Sequence, residues 1–267
     1  MKLFISADIE GTCGIAHWDE TDYDRGGRWY DYFREQMSHE VAAACNGAIE
    51  AGAQDILVKD AHDSARNIIP TFLPRAVSIA RGWSGHPYVM VDGIEKSFDA
   101  LAFTGYHSPA YCDGNPLSHT MATNLDRVLL NGELASEFVI HSYIAAMLDI
   151  PVVFLSGDEA LCHRAKQLIP GITTVAVNRG KGNSSTSMHP LEAQEKIREG
   201  MKVALSGSLD ACKLKLPNYF TTQVTYKEHT RAYRCGQFPG ARMVDAKTIV
   251  FESNHYDDIL RFYLFVL

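Results

Sequence analysis

The sequence begins Met1-Lys-Leu-Phe-Ile-Ser-Ala-Asp-Ile-Glu-Gly-Thr12, and this stretch decides how the rest of the chain is interpreted. Residues 3–5 are a short apolar run typical of a buried strand. Asp8 and Glu10 follow it, and because residues two apart in an extended segment point to the same side, their carboxylates lie together. Two adjacent like charges are costly unless a cation or protons neutralise them. The stretch predicts either a metal or acid–base site at the end of a first strand, or a solvated turn with two surface acids.

Composition limits the classes of protein to consider. The chain has 267 residues, 46% of them hydrophobic and 21% charged, which is ordinary for a folded globular protein. The formal net charge is −7 and no basic block occurs, so neither nucleic acid nor a membrane surface is expected as a partner. No apolar stretch reaches the roughly 18 residues of a membrane span, and no signal peptide is apparent. The six cysteines are scattered without a C-x-x-C pair, which favours free thiols and a cytoplasmic location.

The first two thirds of the chain alternate between strand-type and helix-type segments. Strands are predicted over 55–59, 100–104, 125–131 and 151–155, and helices over 29–49, 133–148 and 161–168. A glycine- and aspartate-rich connection over 21–27 leads into the first helix. This alternation predicts an α/β fold with a mostly parallel sheet and helices on both faces.

The remaining third has a different pattern, and Pro170-Gly171 marks a plausible boundary. Beyond it we expect a polar loop over 178–187, strands over 173–177, 220–226 and 248–252, and helices beginning near residue 190 and over 259–267. We therefore predict an α/β metal-binding catalytic domain over 1–170. A smaller α+β region over 171–267 would complete the substrate pocket and the oligomer contacts.

Metal-binding residue types follow three successive predicted strands. Asp8 and Glu10 come after the first strand, His62 after the second and His107 after the third. Because a parallel sheet brings the carboxyl ends of its strands to one edge, these side chains can share a pocket. His119 is a fourth candidate nearby in sequence. Any one of these histidines alone would more often be structural, so it is their coincidence at strand ends that predicts a site.

A carboxylate on the predicted helix 133–148 extends this set. Glu137 has Glu133 one turn before it and His141 one turn after it, on one predicted helical face. Mixed carboxylate and imidazole ligands suit zinc, manganese or iron, and the absence of thiolates favours an open catalytic site. A shared carboxylate would allow two ions a few ångströms apart. The remaining histidines, His141 included, are assigned no role.

Five motifs occur together in one order: Ser6-Ala-Asp-Ile-Glu-Gly11, Asp60-Ala-His62, Gly105-Tyr-His107, Ser118-His-Thr-Met121 and Gly157-Asp158. In this set the chain resembles the zinc-dependent D-aminopeptidases found with bacterial dipeptide-transport operons, whose signature is S-x-D-x-E-G. The resemblance covers essentially the whole chain and is strongest over residues 1–175. It implies an aminopeptidase that hydrolyses short peptides from the N-terminus, D-Ala peptides or amides in particular, with a metal-bridged hydroxide.

The resemblance also implies a dinuclear zinc site with two zinc ions per chain. Asp8 would bridge the ions, with Glu10 and His62 completing one coordination sphere, and His107 and Glu137 completing the other. The family further implies a ring-shaped homo-oligomer, such as a decamer, with an internal channel.

The catalytic histidine implied by the resemblance is His119, which would lie beside the metals rather than bind them. The chain departs from the family at Asn178, where relatives tend to carry lysine. If that lysine holds the substrate's carboxylate or the developing oxyanion, its loss bears on substrate preference, D or L stereospecificity included.

Two other interpretations remain open. Asp8 after the first strand, with Gly157-Asp158-Glu159 after a later one, also suggests a magnesium-dependent phosphatase of the haloacid-dehalogenase type, in which the first aspartate is the nucleophile. That class usually has D-x-D, and it gives the histidines no role. The other interpretation is a catalytically silent relative that binds metal or peptide without turnover.

Overall fold

A computed structural model describes residues 1–24 and 29–267; residues 25–27 of the predicted connection therefore lie outside the described residues. Within that part of the chain, twelve strands and six α-helices form. The strands are β1 (Lys2–Ala7), β2 (Asp55–Asp60), β3 (Val77–Ala80), β4 (Ala100–Tyr106), β5 (Leu125–Leu130), β6 (Glu133–Leu134), β7 (Val152–Asp158), β8 (Thr173–Lys181), β9 (Ser184–Ser187), β10 (Phe220–Tyr226), β11 (Arg242–Met243) and β12 (Thr248–Ser253). The helices are α1 (Tyr30–Glu50), α2 (Glu137–Met147), α3 (Glu159–Leu168), α4 (Pro190–Ser206), α5 (His229–Cys235) and α6 (Tyr256–Val266).

The larger sheet confirms the predicted fold class. Its order among the described residues is β3-β2-β1-β4-β7-β8-β9, and every neighbouring pair is parallel except β8 with β9. Strands β4 and β7 are buried at every residue, which requires cover on both faces because successive side chains alternate between faces. Strand β1 lies between β2 and β4, so the stretch that opens the sequence is at the centre of the sheet.

The smaller sheet is antiparallel, in the order β11-β12-β10-β5-β6 among the described residues. Helices α5 and α6 pack against it. Each of the two sheets takes strands from both sides of residue 170, since β8 and β9 extend the larger one and β5 and β6 extend the smaller one. The domain boundary at residue 170 stays a prediction.

The predicted helix over 133–148 is wrong at its start. Asn131 and Gly132 have φ of 52° and 85° and form the tight turn between β5 and β6. An Asn-Gly pair between strands is a hairpin signal because both residues tolerate positive φ. Glu133 therefore lies exposed in β6, and Ser136 caps α2 by accepting a hydrogen bond from the Val139 backbone N–H. Glu133 and Glu137 do not share a helical face.

Two further differences concern strands. The segment 178–187, predicted as a polar loop, continues β8 and forms a hairpin with β9. Its serines and threonines pair through the backbone at the sheet edge, where polar side chains face solvent. Strand β3 lies in a stretch for which no strand was predicted. Among the described residues, no helix has the length and apolar character needed to cross a bilayer.

Candidate metal centre

Three neighbouring parallel strands place four of the predicted residues at one edge of the sheet. Asp8 and Glu10 follow β1, His62 follows β2 and His107 follows β4. All four are buried, none more than 8% exposed. The loop after β1 lies very close to the end of β4, because a Cβ on Gly11 would overlap the β4 backbone. That glycine is required for the approach.

Glu137 and His119 come from outside the sheet. Glu137 is the first residue of α2 and is 4% exposed. Its Oε1 accepts a hydrogen bond of 2.6 Å from the backbone N–H of Met121, which ties the helix to the segment that carries His119. The edge of the Trp18 ring packs against the His119 ring, with centroids 5.2 Å apart. The structure thus brings all six predicted site residues together.

Asp8 lies between two groups of ligand-type atoms. Its Oδ1 is 3.3 Å from His62 Nδ1, which is also 3.1 Å from Glu10 Oε2. Its Oδ2 is 3.6 Å from His107 Nε2, which is also 3.4 Å from Glu137 Oε2. In each group of three residues, one ligand atom per residue lies within 4.8 Å of the others.

Hydrogen bonds fix which ring nitrogens face the carboxylates as acceptors. His62 Nε2 lies 2.9 Å from the Thr21 carbonyl and His107 Nδ1 lies 2.8 Å from the Ser108 carbonyl. A carbonyl can only accept, so these nitrogens carry the protons, and in the neutral rings His62 Nδ1 and His107 Nε2 present lone pairs. Asp8 Oδ2, Glu10 Oε2 and His107 Nε2 are buried and have no hydrogen-bond partner within residues 1–24 and 29–267. Acceptor atoms that face one another in a buried site fit a bound cation.

Without a cation, the buried charged groups of the cluster shift one another's pKa values. Burial alone would lower the pKa of His62 and His107, but the facing carboxylates outweigh it and raise both pKa values well above the usual range. Burial, reinforced by Glu10, raises the pKa of Asp8. Burial would also raise the pKa of Glu137, yet the nearby rings of His107 and His119 hold that pKa at about 2. Protons on the histidines thus compensate the buried carboxylates in the way that a metal would.

His119 stacks on His107, with ring centroids 4.3 Å apart and an interplanar angle of 9°. Its Nδ1 donates to the Leu117 carbonyl at 2.9 Å, so Nε2 is the free nitrogen, 3.9 Å from Glu10 Oε1 and 3.6 Å from Glu137 Oε1. Burial, then the neighbouring His107, lowers the pKa of His119. A neutral imidazole with an accessible lone pair can take up and release a proton.

The D-aminopeptidase family model, peptidase family M55, matches residues 1–265. The chain belongs to the D-aminopeptidase family. A D-aminopeptidase of Bacillus subtilis (strain 168) is 28% identical over 251 residues, covering 94% of this chain and 90% of that relative. A solved structure described as the Zn-dependent D-aminopeptidase DppA from Bacillus subtilis, a self-compartmentalizing protease, superposes with a TM-score of 0.90 at 24% identity, covering 99% of this chain and 96% of that one.

Membership confirms the aminopeptidase class predicted from the motifs and does not favour the phosphatase interpretation. The geometry agrees for this member of the D-aminopeptidase family, because the groups of ligand-type atoms that include Asp8 do not include Asp158 among the described residues. Asp158 Oδ1 instead accepts hydrogen bonds from Ser108 Oγ at 2.7 Å and from the Leu161 backbone N–H at 2.8 Å, and Oδ2 accepts from the Ser108 N–H at 2.5 Å. Asp158 therefore caps α3 and holds the residue that follows His107.

Side-chain amides hold the loop that carries Glu10 in this D-aminopeptidase family member. Asn115 Nδ2 donates to the Glu10 carbonyl at 3.1 Å. Asn178 Nδ2 donates to the carbonyls of Gly11 at 3.3 Å and Thr12 at 3.1 Å. Asn178 lies behind the ligand loop and does not line the cavity over the ligands. Asn178 thus supports the backbone of the loop that carries Glu10.

A third support was not predicted from the sequence and concerns His62. Asn67 Nδ2 donates to the His62 carbonyl at 2.7 Å and to Asp60 Oδ1 at 2.9 Å. Tyr30 Oη donates to Asn67 Oδ1 at 2.8 Å, so α1 contributes to the same network. The motif Asp60-Ala-His62 marks one end of this network, whereas nothing in the sequence pattern marked Asn67.

A cavity of about 560 Å³ opens over the candidate ligands. Asp63 and Asp92 line it together with Trp83, and no lysine or arginine is among the described residues that line it. A negatively charged wall next to a metal centre suits a substrate with a positively charged end, such as the free amine of a peptide.

Proposed function

We propose that this protein removes the N-terminal residue from short D-amino-acid peptides and uses two zinc ions per chain. One observation carries the proposal: two groups of buried ligand-type atoms share Asp8, and Asp8 Oδ2, Glu10 Oε2 and His107 Nε2 have no hydrogen-bond partner among the described residues. Carboxylate and imidazole donors suit zinc, and the solved relative is described as Zn-dependent. Zinc bound there would lower the pKa of a water toward about 7 and polarise the scissile carbonyl.

The proposed metal ligands and the groups that orient them all come from the chain itself. Asp8 would contact both ions, with Glu10 and His62 on one side, and His107 and Glu137 on the other. The backbone carbonyls that accept from His62 and His107 keep each ring in the tautomer that can bind metal. Imidazole rings that are fixed in this way need little rearrangement during the reaction.

His119 is the proposed acid–base group. Its Nε2 lone pair faces the carboxylates, and the ring is fixed by the Leu117 carbonyl, by His107 and by Trp18. Nε2 can take a proton during attack and give it to the leaving amine nitrogen, or donate a hydrogen bond to the tetrahedral oxyanion. The acidic cavity wall, with Asp63 and Asp92, would attract the substrate's ammonium group.

We also propose a ring-shaped homo-oligomer, such as a decamer, in the cytoplasm. The solved relative is described as self-compartmentalizing, which implies an assembly of that protein. Phe265 and Tyr233 are 72% and 66% exposed, and aromatic side chains are enriched at protein–protein interfaces. The free thiols of all six cysteines fit a reducing compartment.

The test is replacement of the proposed acid–base group. His119→Ala should keep its zinc, measured by elemental analysis, and lose about 100-fold or more in kcat on D-Ala p-nitroanilide. His163→Ala is the matched control, since His163 is exposed on α3 away from the ligands. Nearly intact turnover in His119→Ala would refute the assignment. Zinc content without hydrolysis of any D- or L-peptide by the wild type would instead indicate a silent relative.

A further inference from the structure

A second cavity, here called the side pocket, adjoins the metal cavity. It has a volume of about 210 Å³, and four residues line both cavities: Val89, Met121, Ala122 and Leu264. Its other walls are largely apolar side chains of α2 and α6. The four shared residues place the side pocket directly beside the metal cavity, within reach of a side chain of a substrate that lies over the candidate ligands.

The volume of the side pocket indicates the size of the group it can hold. An apolar cavity of about 150 Å³ inside a protein is large enough to bind benzene. At about 210 Å³, the side pocket has room for a substituted aromatic ring. An alanine methyl group would leave most of it empty.

The side pocket contains one polar atom with unused hydrogen-bonding capacity. His141 lines the pocket, and its Nδ1 donates to the Glu137 carbonyl at 2.7 Å. In the neutral ring Nε2 is therefore an acceptor, and the structure gives it no partner among the described residues. The Tyr263 hydroxyl, on the same pocket, already pairs with Thr222 Oγ1 at 2.6 Å. A bound group that carries a hydrogen-bond donor can therefore pair with His141 Nε2.

The shared wall is fixed relative to the metal ligands. Met121 has φ of +62°, which is unusual for a residue with a side chain, and the Ala122 N–H donates to the Thr120 carbonyl across it at 2.7 Å. The Met121 N–H in turn donates to the Glu137 carboxylate. A group seated against this wall is thereby held at a defined place relative to the reacting bond.

We propose that the side pocket binds an aromatic side chain of the substrate residue next to the scissile bond, and that His141 Nε2 accepts a hydrogen bond from a phenol hydroxyl. This inference rests on the proposed aminopeptidase function. It predicts that the enzyme prefers D-Tyr to D-Phe, and both to D-Ala, at one of the two substrate positions that flank the scissile bond.

The kinetic test uses two substrate series, D-Tyr, D-Phe and D-Ala amides, and the dipeptides D-Ala-D-Tyr, D-Ala-D-Phe and D-Ala-D-Ala. In one of the two series, kcat/KM should be about tenfold or more higher for the Tyr substrate than for the Ala substrate. The series that shows this preference identifies which side of the scissile bond carries the residue that binds in the side pocket. Leu264→Trp should reduce this ratio to about one, because it places a large ring on the wall that lines both cavities. His141→Leu should remove the preference for Tyr over Phe, expected to be about three- to tenfold, and keep that of Phe over Ala. Val203→Trp, at an exposed site on α4, is the control.

A binding measurement separates failure of this inference from failure of the proposed function. Titration with p-cresol and toluene, which are the side chains of Tyr and Phe, should show p-cresol binding more tightly to wild type and neither binding to Leu264→Trp. Binding without turnover of any D-substrate would retain the pocket and refute the aminopeptidase proposal. Turnover of D-Ala substrates with no aromatic preference and no p-cresol binding would overturn the inference. So would a change of oligomeric state in Leu264→Trp with selectivity unchanged, since a second copy would then cover the pocket.

Discussion

Asp158→Asn should weaken metal binding although Asp158 is not a candidate ligand. The buried carboxylate accepts three hydrogen bonds, two from Ser108 and one from the Leu161 backbone N–H. An asparagine has one carbonyl oxygen and one amide NH2 group in place of the two carboxylate oxygens. In one orientation the NH2 group faces the Ser108 backbone N–H, and in the other it faces the Leu161 backbone N–H. An orphaned buried donor costs about 1–3 kcal/mol. We expect Asp158→Asn to lower the free energy of unfolding by about 1–3 kcal/mol.

The functional consequence follows from what Ser108 does. Its carbonyl fixes the tautomer of His107, and loss of such a support typically costs about 10–100-fold in metal affinity. Competition with a zinc chelator measures that affinity, and urea unfolding with excess chelator measures stability apart from metal. His189→Ala is the matched control, because His189 caps α4 by accepting from the Leu191 N–H at 3.2 Å, and α4 carries no candidate ligand. Wild-type zinc affinity in Asp158→Asn would refute the positioning role.

Three further perturbations test other parts of the site. Burial raises the pKa of the Glu40 carboxyl from 4.5 to about 7. The folded chain therefore holds the carboxyl proton more tightly than the unfolded chain does. Because of this difference, the free energy of unfolding falls as pH rises from 4.5 to 7. Glu40→Gln should therefore gain about 3 kcal/mol on wild type between pH 4.5 and 7 in urea unfolding, whereas exposed Glu35→Gln should show no such trend. Glu137→Gln should lose about 10-fold or more in zinc affinity while Glu133→Gln, in the hairpin, keeps it; equal effects would return Glu133 to the ligand set. Gly11→Ala should disrupt the site and lower zinc occupancy, because its Cβ would overlap the carbonyl oxygen of a β4 residue; unchanged zinc content would show that the loop can shift.

The parts of the site that follow strand ends could be predicted from the sequence. Alternating apolar and helical segments indicate a parallel sheet, and a parallel sheet brings Asp8, His62 and His107 to one edge without further information. Glu137 needed the family resemblance, because Glu133 is an equally plausible acid by pattern. The hairpin at Asn131-Gly132 distinguishes the two, because it places Glu133 in β6 and leaves Glu137 as the first residue of α2.

The supports of the site could not be predicted in the same way. The contacts of Asp158 with Ser108 and of Asn178 with Gly11 join residues 50 and 167 positions apart, and no periodicity records them. The side pocket is equally non-local, since its walls come from α2, α6 and the turn after His119. Such contacts depend on how layers pack, which a single sequence indicates only through its strongest motifs.

We propose that Asp8 lies between two zinc ions that this enzyme needs for turnover. The most direct test is zinc content per chain on protein purified without chelators, with D-Ala and L-Ala p-nitroanilide hydrolysis assayed on the same sample. We expect about two zinc ions per chain, and D-Ala turnover that chelation abolishes and added zinc restores. One zinc ion or none per chain, or D-Ala turnover that persists in excess chelator, would contradict it.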